Sequence, residues 1–231
     1  MFNRIRDIFA LFAALALLAM LLIPEQVEAA NNENIADRPS DEKTWLFRVF
    51  LDDREIGYHH FYLAEAGDHK QLRTVAEFEF RLLFVKLFDY EHEALETWSG
   101  DCLQSIRSRT DVNGDDYTID GRRNGDTFLL QANQEPMSLP SCVMSFAYWN
   151  PNFLEQPHLL NSQDGSFVEV NVIGPSEDVL SVGDSALPSL HYRLEAGELK
   201  LDLWYSHDNR WLALESEVAG GRTLRYEPIE G

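Results

Sequence analysis

The stretch ELKLDLWY, residues 198–205, alternates apolar and polar side chains along its length. Leu199, Leu201, Leu203 and Tyr205 take every second position, and charged residues fill most of the positions between them. Successive side chains of a β-strand point to opposite faces, so this period of two predicts a strand with one buried and one solvated face. The stretch therefore indicates a β fold.

The same alternation recurs along most of the chain, and glycine-containing turn signals separate the segments. The predicted strands are 45–51, 55–64, 71–82, 88–98, 103–110, 117–122, 127–132, 167–173, 189–196, 198–205, 211–218 and 223–228. The turn signals are Asn113-Gly114, Asn124-Gly125, Asp164-Gly165, Ala196-Gly197 and Gly220-Gly221, which favour tight hairpins. Short strands joined by tight turns predict an all-β fold, an antiparallel meander curled into a half-barrel or barrel-like sheet.

The stretch SCVMSFAYWNPN, residues 141–152, breaks this pattern because its apolar side chains have no period of two. Ser141 is a residue type that caps helices, and Asn150 stands before a proline, where helical backbone is disfavoured. We expect a two-turn helix over 142–149 and a second short helix from Pro151, capped by Asn150. A helix that is apolar all round must be buried, so the sequence predicts a short helical plug around 141–160 on the concave face of the sheet.

Such a plug has two interpretations that the sequence leaves open. It could close or line a cavity for a lipid or other hydrophobic small molecule, with the Trp149 indole and the Asn150 amide as polar groups in an apolar wall. It could instead only cap the core of the barrel. On the first interpretation the predicted ligand-binding residues are Phe146, Tyr148, Trp149, Asn150, Leu160 and His60.

The chain has two cysteines, Cys102 and Cys142. An isolated pair in an exported protein is usually a disulfide. We expect this bond to fasten the start of the plug to the sheet.

The N-terminal 29 residues have the build of a cleaved signal peptide. Two arginines precede an apolar run over 8–23, and a small-residue cleavage site ends at Ala29. The polar residues 30–43 predict a disordered linker, and 44–231 a single β-rich domain. The expected location is the periplasm, and the cleaved chain is not expected to be an integral membrane protein. A formal net charge of -20 disfavours nucleic acid and anionic membranes as partners.

The residues do not assemble a recognisable catalytic, metal or cofactor motif, so the sequence favours a non-enzymatic protein without a cofactor. His59 and His60 are adjacent in a predicted strand and face opposite sides, which argues against a shared metal site. One alternative is a hydrolase-like enzyme that uses His59 or His60 with Glu91 or Glu93. Another is an envelope scaffold recognised through an open sheet edge.

Four stretches resemble an uncharacterised family of exported bacterial proteins, domain of unknown function 6134. They are FRVFLDDREIGYHHFYL (47–63), YEHEALETWSGDCL (90–103), YWNPNFLEQPHLLNSQDGSFVEV (148–170) and LDLWYSHDNRWLALESEVAGGRTLRYEP (201–228). The distinctive family element is matched at Trp149, Asn150, Pro151, Leu160 and Asn161. The chain departs at Tyr148, where the family often has a histidine. The resemblance implies export and a β-rich fold, and it implies no activity.

Overall fold

The computed structural model describes residues 42–82, 85–183, 185–218 and 220–229. The predicted signal peptide and the predicted linker up to residue 41 lie outside these residues. Strand structure begins at Lys43, the last residue assigned to that linker. Within the described ranges, no helix has the length and apolar character needed to cross a membrane.

The described residues form fifteen β-strands and a short 3-10 helix, Pro151–Glu155. The strands are β1 (Lys43–Leu51), β2 (Arg54–Ala66), β3 (His69–Leu82), β4 (Val85–Ser99), β5 (Cys102–Val112), β6 (Asp115–Asn124), β7 (Thr127–Ala132), β8 (Glu135–Pro140), β9 (His158–Leu160), β10 (Phe167–Glu169), β11 (Asn171–Val182), β12 (Ser185–Ala196), β13 (Leu199–Tyr205), β14 (Trp211–Val218) and β15 (Arg222–Pro228).

Thirteen of these strands form one antiparallel sheet in the order β11-β12-β13-β14-β15-β1-β2-β3-β4-β5-β6-β7-β8. The first and last strands of the chain, β1 and β15, pair in its middle, and β9 with β10 forms a separate two-stranded ribbon. The predicted all-β antiparallel meander is confirmed. The sheet is open, because β8 and β11 are its two edges and do not pair with each other in the described part of the chain.

The inner face of the sheet carries the core because the alternation is kept from strand to strand. In β13, Leu201, Leu203 and Tyr205 are buried, as the opening stretch predicts. Across the middle of the sheet, Phe47 on β1 packs against Trp211 on β14 with ring centroids 4.3 Å apart. The apolar inner faces of distant strands thus meet over one concave surface.

Residues 141–170, here called the covering segment, connect edge strand β8 to edge strand β11 and lie against this concave surface. The backbone N–H of Leu103 on β5 donates to the Val143 carbonyl at 2.9 Å. In the other half of the sheet, the hydroxyl of Tyr205 on β13 donates to the Tyr148 carbonyl at 2.7 Å. The segment is therefore bonded to both halves of the sheet.

The helix expected over 142–149 is wrong. Its backbone groups find partners elsewhere: the Leu160 N–H donates to the Met144 carbonyl at 2.8 Å, and the Phe146 N–H donates to the Leu160 carbonyl at 3.3 Å. The apolar side chains of this stretch correctly indicate that it is buried, but they do not indicate a helix. The second short helix forms as the single 3-10 turn, with the Asn150 side chain accepting from the Asn152 N–H at 3.2 Å.

The sequence prediction lacks the edge strand β8, and it includes only the start of the edge strand β11. β8 contains Pro136 and Pro140, and β11 contains the pair Gly174-Pro175. Proline cannot donate to a β-ladder and is therefore confined largely to edges, where these strands lie. The β11 edge exposes Ile173 and Val179. Recognition of such an edge by a partner, the scaffold alternative, stays a prediction.

The predicted disulfide between Cys102 and Cys142 is confirmed. It joins the first residue of β5 to the covering segment, immediately beside the hydrogen bond between Leu103 and Val143. The sequence separation is 40 residues. One covalent bond and its neighbouring hydrogen bond thus fix the start of the covering segment.

Replacing both cysteines by serine should lower stability and loosen the covering segment before the sheet. Loss of a cross-link over a loop of this size costs about 4 kcal/mol in the chain-entropy model, or roughly 10 °C in Tm for a chain of this length. Hydrogen exchange should rise first at the amides of 142–150 and later at those of 199–226. Uniform exchange across both regions, or free thiols in the purified parent protein, would contradict this role.

Candidate functional site

A cavity of about 150 Å³ lies between the concave face and the covering segment. Strands from β1 to β4 and from β13 to β15 contribute side chains, and the covering segment supplies the remaining wall. The aromatic lining residues are Phe61, Phe78, Phe88, Tyr90, Phe146, Tyr148 and Tyr226. The polar lining includes His59, Thr74, His92, Glu96, Ser145 and Ser216.

Strand alternation places the polar residues of β4 inside the cavity. His92 and Glu96 are buried, whereas the alternate positions Glu91, Glu93 and Leu95 are exposed on the outer face. The inner face of β4 continues with the buried Trp98. Two ionisable groups are thus carried inward by the same period that buries apolar residues.

Two neutral imidazoles form part of the cavity wall. His59 Nδ1 lies 3.0 Å from the Tyr226 hydroxyl, and His92 Nδ1 lies 2.8 Å from Thr110 Oγ1. Burial lowers the pKa of His59 well below its usual value, with a smaller contribution from the nearby His92. Burial also lowers the pKa of His92 to about 4. Both rings are therefore uncharged at neutral pH.

Glu96 is the carboxyl group of the cavity. Its Oε2 accepts a hydrogen bond from Trp98 Nε1 at 3.0 Å, and the Ser145 hydroxyl also bonds to it. Burial raises the pKa of Glu96 to about 7, and these two hydrogen bonds oppose the rise. The group therefore carries a proton for much of the time near neutral pH.

The tyrosines of the cavity also remain uncharged. Burial raises the pKa of Tyr90, Tyr148 and Tyr226 above the usual range, with further contributions from their mutual proximity at Tyr90 and Tyr226. No lysine or arginine lines the cavity in the ranges that the structure describes. The interior is thus an aromatic chamber with neutral hydrogen-bonding groups and no fixed positive charge.

Two of the predicted ligand-binding residues, Phe146 and Tyr148, line this cavity. Trp149 and Leu160 are buried but lie outside its lining. The Trp149 ring packs edge-on against Trp98 with centroids 5.6 Å apart, and the backbone of Leu160 pairs with that of Met144. These two residues hold the covering segment in place.

The other two predicted ligand-binding residues, Asn150 and His60, point elsewhere. Asn150 caps the 3-10 helix and donates through Nδ2 to Asp101 at 2.9 Å. His60 lies on the opposite face of β2 from His59, where its ring contacts those of Tyr58 and Tyr62. Neither side chain is part of the cavity wall.

The structure does not assemble the hydrolase site considered from the sequence. His59 faces the cavity, whereas Glu91 and Glu93 are exposed on the outer face. His60 and Glu93 share that outer face, but β3 separates them in the register, which puts their backbones about 10 Å apart. No hydrogen bond joins these two side chains within the described residues, and His60 Nε2 has no partner there.

His92, Glu96, Ser216 and Tyr226 were not identified from the sequence as site residues. His92 and Glu96 could have been found, since both interrupt the apolar face of an alternating strand. Ser216 and Tyr226 reach the same cavity only through the pairing of β14 with β15 and of β15 with β1. In the described residues, no group of three or more His, Cys, Asp or Glu side chains is arranged to hold a metal ion.

The comparisons with known proteins identify a family and a fold. The family model described as "Domain of unknown function (DUF6134)" matches residues 47–229. Comparison with curated proteins gave no match. The chain is similar to the crystal structure of a beta-barrel-like protein of domain of unknown function DUF1849 from Brucella abortus, with a TM-score of 0.60 and 7% sequence identity over 81% of this chain and 95% of that chain. At this identity the likeness shows the fold alone.

Glu96 should make stability fall as the pH rises from about 4.5 to 7. The unfolded carboxyl ionises over this range while the folded one keeps its proton, so the folded state loses up to about 3 kcal/mol relative to the unfolded state. Glu96→Gln removes this loss, and the variant should gain stability over the parent progressively between those pH values. Urea unfolding at pH 4.5, 6 and 8 measures the difference.

A matched control is Glu93→Gln, which removes an exposed carboxylate from the same strand. It should not reproduce the gain of the Glu96 variant. A difference between Glu96→Gln and the parent that stays constant across the three pH values would contradict the assignment of a buried, protonated carboxyl.

Proposed function

This chain belongs to the family described as Domain of unknown function (DUF6134), and from its cavity we propose that it is a non-catalytic protein that binds a small hydrophobic molecule. The observation that carries the proposal is an aromatic chamber enclosed by the sheet and the covering segment. Concave, mostly apolar chambers with a few polar groups are the usual form of small-molecule sites.

The size of the cavity limits the ligand. Pockets for drug-sized molecules usually have volumes of about 300–1,000 Å³. A cavity of about 150 Å³ is comparable to the engineered apolar cavity that binds benzene in another protein. The volume supports a molecule of one ring, or the terminal part of a longer chain, in preference to a whole lipid.

Access to the chamber is proposed at one rim of the sheet. The lining residues Phe88, Leu199 and Leu224 retain partial exposure. Leu199 begins β13 and Leu224 lies close to the start of β15, so both are near hairpin turns at that rim. The covering segment bonds to Tyr205, at the opposite end of β13.

We further propose that the protein acts in the periplasm. The disulfide supports this location, because such bonds persist in oxidising compartments. The N-terminal signal-like stretch of the sequence supports it as well.

Mass spectrometry of protein recovered from the periplasmic fraction tests the location. The expected chain starts at Ala30 and reacts with a thiol reagent only after reduction. Recovery only in the cytoplasm with reactive thiols would reject periplasmic export.

Toluene, a neutral single-ring molecule without a polar group, should bind the purified protein and raise its Tm in a concentration-dependent way. Leu201→Phe enlarges a buried side chain of the cavity wall and should reduce the shift several-fold. The control Leu95→Phe makes the same change at an exposed position on the outer face and should preserve it. If the parent protein shows no saturable binding of toluene or of any other single-ring probe, the proposed function is rejected.

A further inference from the structure

His59 and His92 occupy equivalent places on either side of β3. The strand register aligns His59 with Ala76, and Ala76 with His92. All three residues are buried on the inner face. With one strand between them, the two histidine backbones are about 10 Å apart. The methyl group of Ala76 fills little of the space between the two rings.

Hydrogen bonds direct the Nδ1 atom of each imidazole away from β3. His59 Nδ1 bonds to Tyr226, which lies on the side away from β3, and His92 Nδ1 bonds to Thr110, which also lies away from β3. The two nitrogens of an imidazole flank Cε1, and their hydrogen-bonding directions diverge widely. Because each Nδ1 is directed away from β3, each Nε2 is directed toward the space above Ala76.

Neither of these Nε2 atoms has a hydrogen-bond partner in the described part of the protein. His59 Nε2 is a buried polar atom without a partner. The only hydrogen bond of His92 within the described residues is the one through Nδ1. Buried polar groups are nearly always hydrogen-bonded in folded proteins, so the unpartnered His59 Nε2 in the same cavity wall as His92 indicates a place for a ligand atom.

The surroundings of this pair are aromatic and lack positive charge. The His59 ring stacks on Phe61 with centroids 4.2 Å apart, and it meets Phe78 edge-on. Tyr90 lies beside His92. The carboxyl of Glu96 is in the same cavity, and the chain as a whole has a net charge of -20. A carboxylate ligand would therefore be buried without a cation to pair with it, which is costly.

We infer that the ligand is a neutral single-ring hydroxyl compound whose oxygen lies between His59 Nε2 and His92 Nε2, above Ala76. This inference rests on the proposed function and specifies its ligand class. A hydroxyl group suits the pair because it donates one hydrogen bond and accepts up to two. It can therefore satisfy two N–H donors, or one donor and one acceptor, which requires at least one of the two rings to carry its proton on Nε2.

Three probes of similar size test the inference by isothermal titration: 4-methylphenol, toluene and 4-methylbenzoate. The phenol should bind about tenfold more tightly than toluene, the gain expected of a hydrogen bond to a buried unpaired group. The benzoate should show no saturable binding at pH 7. Equal affinity for the phenol and toluene would overturn the inference and leave the proposed function standing, since water would then satisfy the histidines. Failure of all three probes would reject both.

Single replacements then locate the hydroxyl contact. His59→Phe and His92→Phe should each reduce the preference for the phenol over toluene to less than threefold. His60→Phe is the matched control, because it changes the neighbouring histidine on the outer face and should keep the full preference. A preference that survives both inner replacements, or is lost equally in the control, would overturn the assignment.

Nitrogen NMR of the parent protein gives a test that needs no variant to fold. Addition of 4-methylphenol should shift the Nε2 resonances of His59 and His92 and leave those of His60 unchanged, whereas toluene should move them much less. Unshifted Nε2 resonances at saturating phenol would overturn the inference.

Discussion

An open antiparallel sheet with one apolar concave face cannot remain uncovered in water, and this constraint shapes the rest of the molecule. Burial of that face is the main favourable contribution to folding. In a closed barrel, opposite walls would cover one another, but here β8 and β11 are unpaired edges within the described residues. The chain between those edges, residues 141–170, therefore crosses the face and covers it. The disulfide and the hydrogen bonds to Leu103 and Tyr205 hold it there.

Residues 142–149 of the covering segment form no helix or strand of their own, which explains why a cavity remains beneath the segment. A regular helix would have satisfied its own backbone groups and presented a uniform surface. The observed segment instead uses its backbone to bond Leu103 and Tyr205, and it positions Phe146 and Tyr148 as separate rings over the sheet. The bonds that anchor the covering segment determine how far it lies from the sheet across the cavity. The same bonds that stabilise the fold thus determine the shape of the candidate site.

The sequence predicts the strands of this protein well because alternation and glycine turns are local signals. The residues 198–205 and 211–218, for example, need only their own pattern to be read as strands. The edges were harder, since Pro136 and Pro140 look like strand breakers unless the strand is known to lie at an edge. The helix over 142–149 failed for a different reason. Apolarity on all sides indicates burial, and a buried segment bonded to its neighbours does not need to be helical.

The candidate site was predicted only in part, because its polar groups are brought together by pairing between distant strands. Phe146 and Tyr148 followed from the unusual composition of the covering segment. His59 stands out in the sequence through its adjacency to His60, but its relation to His92 depends on the strand register through Ala76, which is not a local property of the sequence. Polar residues on the inner face of an alternating strand are the signal to look for in such chains. Each raises the cost of burial, and this cost is why the two inner-face imidazoles are the basis of the proposed ligand contact.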